Sequence, residues 1–260
     1  LLLSTRTTTW RGGAIGHQTM LDGLKRLFTG APSEGADWGG IAPWAASKQY
    51  TFRAVQAEGF VIDGRLGATP WRLEWGPSQR PYIQGQELRI RSELGLAAEL
   101  QVVLMNRVLQ EKMERDVFDQ YVEGVQTRID NQTPPEMRWL VMFPKLSGSE
   151  MPELRDKYVA LSSMKSWLTH WLQGPLTQAV AALRVEPETP LVLMIGRGRL
   201  MLRTALPEAQ ASTLQAWLRV FEAAMREARR VANESSDSLS PSTQPSMWST
   251  SALPGDERNK

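Results

Sequence analysis

The densest run of chemically able side chains in this sequence lies between Trp71 and Arg91. Trp71-Arg72-Leu73-Glu74-Trp75 alternates apolar and charged residues. Gly76-Pro77-Ser78-Gln79-Arg80-Pro81-Tyr82 is rich in turn formers, and Glu87-Leu88-Arg89-Ile90-Arg91 alternates again. The chemistry on offer is recognition. A guanidinium keeps its charge and presents a planar fork of donors that matches a carboxylate or a phosphate. The candidate binding residues are therefore Arg72, Arg80, Tyr82, Arg89 and Arg91. Arg80 and Tyr82 are expected on a presented, Pro-flanked loop, and Arg89 and Arg91 are expected to point outward from the next strand, as interface anchors of these types do. The competing reading is structural: Arg72, Arg89 and Arg91 facing Glu74, Glu87 and Glu93 in a ladder of cross-strand ion pairs, each worth about 0.2–1 kcal/mol.

Catalytic signatures are weaker. Gly76-Pro77-Ser78-Gln79 invites comparison with a nucleophile turn but lacks the G-x-S-x-G spacing. A triad would have to use His170, which sits between Trp167 and Trp171 in a helical pattern and reads as a packing residue. Glu111, Glu114 and Arg115 share a helix whose charges read as a solvated face. Gly196-Arg197-Gly198-Arg199 is neither a phosphate loop nor a dinucleotide fingerprint, since no helix follows it; it reads as a hairpin turn whose arginines form a second candidate surface. The sequence contains no cysteine and two histidines, His17 and His170, which excludes disulfides, thiol catalysis and a histidine-rich metal site. No catalytic residue, metal ligand or cofactor is assigned.

The elements that must position these residues follow from hydrophobic periodicity. Phe60, Ile62, Gly64 and Leu66 share one strand face; Trp71, Leu73 and Trp75 form the next dry face; Leu88, Ile90, Ser92 and Leu94 form a third. Val102 to Met105 reads as a buried strand, and short turns between the strands argue an antiparallel meander. From 108 to 127 the period becomes helical, with Leu109, Met113, Val117, Tyr121 and Val125 recurring every fourth position. Thr133-Pro134-Pro135-Glu136 reads as a capping box before a short helix over 135–142. Beyond it come a strand within 155–161, a helix pair around Trp167 and Val180, and the hairpin 191–204. A long helix closes the series over 208–233, its stripe made of Leu214, Trp217, Leu218, Phe221, Met225 and Ala228. Residues 29–47 read as a loop pinning Trp38 and Trp44, and 20–28 as a short basic amphipathic helix. Residues 1–19 read as an upstream over-read, an unusual start or a flexible N-terminus. Residues 234–260, rich in Ser and Pro, read as a disordered tail interrupted by Trp248.

Composition sets the outer bounds. Hydrophobic residues make up 42% and charged residues 22% of the chain, which suits a globular body over 48–233, undivided or in halves 48–130 and 131–233. A net charge of +2 gives no field strong enough to expect a specific nucleic-acid partner. No apolar stretch is long enough for a transmembrane helix and no signal-peptide pattern opens the chain, so the expected location is cytoplasmic.

Gly59-Phe60-Val61-Ile62-Asp63-Gly64-Arg65 through Trp75, and Leu154 through Ser162 followed by the helix pair, hairpin and closing helix, resemble a layout of uncharacterised bacterial conserved-hypothetical proteins. The resemblance covers about half the chain and brings no catalytic motif; it implies a bacterial protein with an interaction role. The sequence thus predicts an α+β fold: an antiparallel meander packed by amphipathic helices, covered by the 108–127 helix, with a second α/β half and a long C-terminal helix. The expected function is non-catalytic binding or scaffolding of an unknown protein partner. The alternatives are a peripheral membrane protein making weak contact through the 20–28 helix, and a hydrolase or transferase with an unrecognised site.

Overall fold

The computed structural model describes residues 38–55, 59–122 and 133–237. The expectations for the helix at 20–28, the start at 1–19, the helical residues 123–127 and Trp248 lie outside the described residues.

Strand-forming sequence dominates the first half. β1 (Thr51–Val55), β2 (Gly59–Leu66), β3 (Thr69–Pro77) and β4 (Gln86–Glu93) form the meander, and β5 (Val102–Asn106) follows. Later come β6 (Tyr158–Ser162), β7 (Leu191–Gly196) and β8 (Arg199–Ala205). The eight strands make one sheet in the order β1-β2-β3-β4-β8-β7-β5-β6, antiparallel throughout. The hairpin β7–β8 is the hinge of the topology: β8 pairs with β4 and β7 pairs with β5, so the two halves of the chain share one sheet. The fold is α+β, with the antiparallel meander, helices packed on it and a long closing helix.

The described helices are α1 (Ile41–Ser47), α2 (Arg107–Val122), α3 (Pro135–Met142), α4 (Lys165–Trp171), α5 (Pro175–Ala181) and α6 (Ala211–Asp237). α1 occupies part of the segment expected to be a loop. Its Ala-rich sequence tolerates Pro43 because the first turn needs no N–H from that position, and Ile41 and Ala45, four residues apart, give it a buried stripe. β1 is a strand that the sequence does not announce, because it lies at the sheet edge with mostly exposed side chains. Residues 155–157 precede β6 as turn, not strand. α6 runs past the expected tail boundary to Asp237, extended by the Arg230–Glu234 ion pair one turn apart and by the Ser235 hydroxyl donating to the Val231 carbonyl at 2.8 Å.

Alternation along the strands separates the sheet into two faces. Phe60, Ile62, Trp71, Leu73, Leu88, Ile90, Leu104, Leu193, Leu200 and Leu202 face one core, closed by α4, α5 and α6 through Trp171, Leu176, Leu214, Trp217 and Phe221. Trp171 is wholly buried there and its indole N–H donates to the Ala224 carbonyl at 3.0 Å. The opposite face is apolar only toward the β5–β6 edge, where Val103, Met105, Leu161, Val192 and Met194 meet α2 and α3. The α2 helix therefore lies over the far strands and not over the meander. The inner face of the meander is covered by α6. Among the described residues no helix is long and apolar enough to cross a membrane.

Candidate functional site

The second face of the sheet, beyond the reach of α2, carries charge. Glu87, Arg89, Arg91 and Glu93 of β4 project there because Leu88, Ile90 and Ser92 take the core side. Register then brings like charges together: Arg89 lies directly opposite Arg203, and Arg91 lies opposite Arg72. Such pairs repel unless carboxylates separate them. Asp63 sits between Arg53 and Arg72, at 2.8 and 2.7 Å. Glu74 takes Arg91 at 2.9 Å and Arg89 at 3.4 Å. Glu87, fully buried, takes Arg203 through one oxygen at 2.6 Å, and Arg89 and the Gln79 backbone N–H through the other at 3.2 and 2.8 Å. Burial pushes the Asp63 carboxyl up, but the hydrogen bonds and positive charge of Arg72 and Arg53 outweigh it and hold that group below the usual carboxylate range.

The connection from β3 to β4 folds inward over this face. Gly85, at φ 73°, closes the loop, with the Ser78 N–H donating to its carbonyl at 3.0 Å. The Ile83 N–H donates back to the Arg80 carbonyl at 3.1 Å, and Tyr82 and Ile83 enter the second apolar cluster. The expectation that Tyr82 is presented on a loop is thus corrected. It is 7% exposed, and its hydroxyl donates to Glu136 Oε1. Burial first, and the adjoining carboxylate second, push the Tyr82 phenol well above its ordinary value. Arg80 Nε donates to the same Glu136 oxygen at 2.7 Å. Glu136 is fully buried, so it is not the capping residue that its spacing from Thr133 suggests; α3 begins without a side-chain cap hydrogen bond, with Pro134 at its cap and Pro135 in its first turn. Its Oε1 is occupied by the loop opposite, through an Arg80 that lies 56 residues away in sequence, while its Oε2 is buried without a hydrogen-bond partner.

Where α3 meets the β7–β8 turn, the two elements enclose a pocket of about 530 Å³. Its charged wall is Arg80, Arg138, Arg197 and Arg199, and Trp139, Met194 and Met201 form an apolar wall. The tight turn places Arg197 at φ 53° and Gly198 at φ 74°, the left-handed pair that a two-residue hairpin needs. Gly196 is required by a close approach: a Cβ there would lie 2.6 Å from Cη2 of Trp139. Arg199 pairs with Glu93 at 2.6 Å. Nε of Arg138 is buried and has no hydrogen-bond partner.

No family model and no curated protein matches the chain. Among solved structures, the crystal structure of the mycobacterial trehalose monomycolate transport factor A, TtfA, is similar with a TM-score of 0.40 and 8% identity, over 73% of this chain and 90% of that one.

Of the residues singled out by sequence, the structure brings Arg80 and Tyr82 together on Glu136, and Arg89 to Glu87 and Glu74. It leaves Arg72 and Arg91 half-exposed in the ladder of ion pairs. The hairpin turn with Arg197 and Arg199 joins Arg80 at the pocket. Arg138 and Arg203 had no signal of their own, since α3 and β8 read as ordinary amphipathic elements, and Glu136 carried only the signal of a helix cap. Ser78 and His170 lie on separate elements: the Ser78 hydroxyl accepts from the Arg80 N–H at 3.1 Å, while His170 is exposed on α4.

Proposed function

We propose that this chain is a non-catalytic binding protein and that the arginine-walled pocket, backed by the ion-pair network, is its recognition site. The observation that carries the reading is the set of groups around the pocket. Four guanidiniums, Gln101, Thr133, Trp139 and two methionines line it. A guanidinium holds its proton at every physiological pH, and amide, hydroxyl, indole and thioether groups neither gain nor lose one near neutrality. Such a wall grips and orients without moving protons. Of the carboxylates nearby, Glu93 holds Arg199, and Glu136 holds Arg80 and Tyr82 through one oxygen while its other oxygen is buried without a hydrogen-bond partner. Arg72 and Arg91, at the outer end of the same face, supply a rim for a larger partner.

Native mass spectrometry of protein purified from its own source tests the reading, with wild type compared against Arg138→Ala. A molecule or protein retained by the wild type and lost by the variant, at unchanged melting temperature, is the expected result. Identical spectra for both would refute it, and so would chemical turnover of the bound molecule.

A further inference from the structure

We propose that the pocket between α3 and the β7–β8 turn binds a small oxyanion, a phosphate- or carboxylate-bearing molecule with an apolar portion. The assignment rests on the binding-protein reading and names its ligand class. Charge carries it furthest. Among the described residues, no Asp or Glu lines the pocket, whereas four arginines do. Two of these charges are answered from behind, Arg80 by Glu136 and Arg199 by Glu93. Among the described residues, no carboxylate pairs with Arg138 or Arg197. A guanidinium cannot shed its charge to escape burial, and Nε of Arg138 is both buried and unpartnered. An oxyanion between Arg138 and Arg197 supplies the missing acceptor and the missing charge in one group.

Position supports the same reading. Met137 and Trp139, the neighbours of Arg138 in α3, are buried in the second cluster and fix the helix rotation, which brings the Arg138 side chain to the pocket wall. The left-handed turn conformation fixes the backbone from which Arg197 reaches the pocket. The volume of about 530 Å³ exceeds what a bare phosphate fills and falls within the range of small-molecule sites. Trp139, Met194 and Met201 offer the excess space to an apolar group.

Isothermal titration of the full chain at low salt, with pyrophosphate, citrate, inorganic phosphate and phenyl phosphate as probes, tests the assignment. At least one of pyrophosphate and citrate is expected to bind with a Kd below about 1 mM, and the preferred one identifies the phosphate or carboxylate source. Arg138→Ala and Arg197→Ala are each expected to weaken that binding by about tenfold or more, the worth of a charge-assisted hydrogen bond. Arg226→Ala, exposed on α6 over the opposite face, is expected to leave it unchanged. Phenyl phosphate should bind more tightly than inorganic phosphate, and equal affinity would overturn the role of the apolar wall. If Arg138→Ala fails to fold, Arg197→Ala, on an exposed turn, decides the matter alone. Equal losses in Arg226→Ala, or binding of an Asp/Glu-rich peptide with no binding of any small probe, would overturn the assignment. Silence of every probe while the wild type still carries a co-purified molecule would overturn the ligand class and leave the binding-protein reading standing.

Discussion

Glu87→Ala is the most informative single change in this protein. The residue is fully buried at the centre of the polar sheet face, and it screens Arg89 from Arg203, which sit directly opposite each other on β4 and β8. Removing the carboxylate breaks contacts at 2.6 and 3.2 Å to those arginines and one at 2.8 Å to the Gln79 N–H. Arg89 keeps partners, since it also reaches Glu74 at 3.4 Å and the Pro77 carbonyl at 3.0 Å. Arg203 does not fare as well: its side chain is 6% exposed, and among the described residues its remaining hydrogen bond runs from Nε to the Met201 sulfur at 3.1 Å, a weak acceptor. Breaking a buried ion pair by removing one partner costs about 3–5 kcal/mol. That is a large part of the roughly 5–15 kcal/mol that holds a domain folded.

With a urea dependence of about 2 kcal/mol per molar, the unfolding midpoint should fall by about 2 M. Tryptophan fluorescence reads the transition, because Trp171 and Trp217 lie in the core. The cost belongs to the orphaned cation and not to the lost pair, so Glu87→Met combined with Arg203→Met should recover most of it. A Glu87→Ala variant within about 1 kcal/mol of wild type would refute the reasoning, because it would place the pair in the class of exposed, screened contacts. A double variant no better than the single one would refute the attribution to Arg203.

Other changes have equally definite outcomes. Trp217→Ala and Phe221→Ala, on the buried stripe of α6, should each cost about 3–5 kcal/mol in urea unfolding, and near-wild-type midpoints would show that α6 is not packed on the sheet. Gly64→Ala puts a Cβ 2.2 Å from Cζ2 of Trp71, so the Trp71 ring must move; a loss of about 1–3 kcal/mol is expected, and an unchanged melting temperature would contradict the close approach. The Glu150 carboxyl, held at about 2 against an ordinary 4.5 by the Ser147 hydroxyl and N–H and by Lys165, should titrate near 2 by carbon-detected NMR. Its folded value is depressed, so whatever stability it adds is present above pH 4.5 and is lost as the pH falls through 2. Ser147→Ala should return it toward 4.5, and a titration already near 4.5 in the wild type would exclude the contact.

Elements with strong periodicity were legible from the sequence. The period-2 alternation of β3 and β4, the four-residue repeat of α6 and the Gly-Arg-Gly-Arg turn each bury the face or take the conformation that their pattern implies. What failed had little local signal. β1 is a short edge strand whose outer side chains meet water, so nothing forces alternation on it. The cap at Thr133 failed because a capping box and a helix that turns its first-turn Glu toward a distant loop have the same local sequence; only tertiary structure separates them. The site shows the same division. The arginines of β3, β4 and the hairpin turn were visible by type and alternation, and so were ion pairs of Arg89 and Arg91 with Glu74 and Glu87; that Arg72 faces Arg91 and is held by Asp63 on β2 depends on register. The burial of Tyr82, the partner of Glu136 and the exposure of Arg138 to a pocket all depend on where α3 lands. That is set by contacts such as Trp139 against Gly196, 57 positions apart by their numbers.

Those distant contacts explain why so much charge is buried in one place. A sheet face that packed β1 to β4 under another helix would need apolar residues at 72, 74, 87, 89 and 91; the chain puts arginine and glutamate there instead, at a cost in desolvation. Glu136 offers the reason within the fold. Through Arg80 and Tyr82 it ties the β3–β4 loop to α3, and through the burial of Met137, Trp139 and Leu140 the same helix is seated on β7 and β8. Loop, helix and hairpin turn are thereby held in fixed relation around the space that Arg80, Arg138 and Arg197 share. An apolar interface could hold the three elements with similar strength. It could not also hold Arg80 and Arg199 at the cavity wall, because each of these two is oriented by its own carboxylate. The ion-pair network is the supporting layer of the pocket: it positions Arg80 and Arg199 directly, and through Glu136 it ties down the helix that carries Arg138.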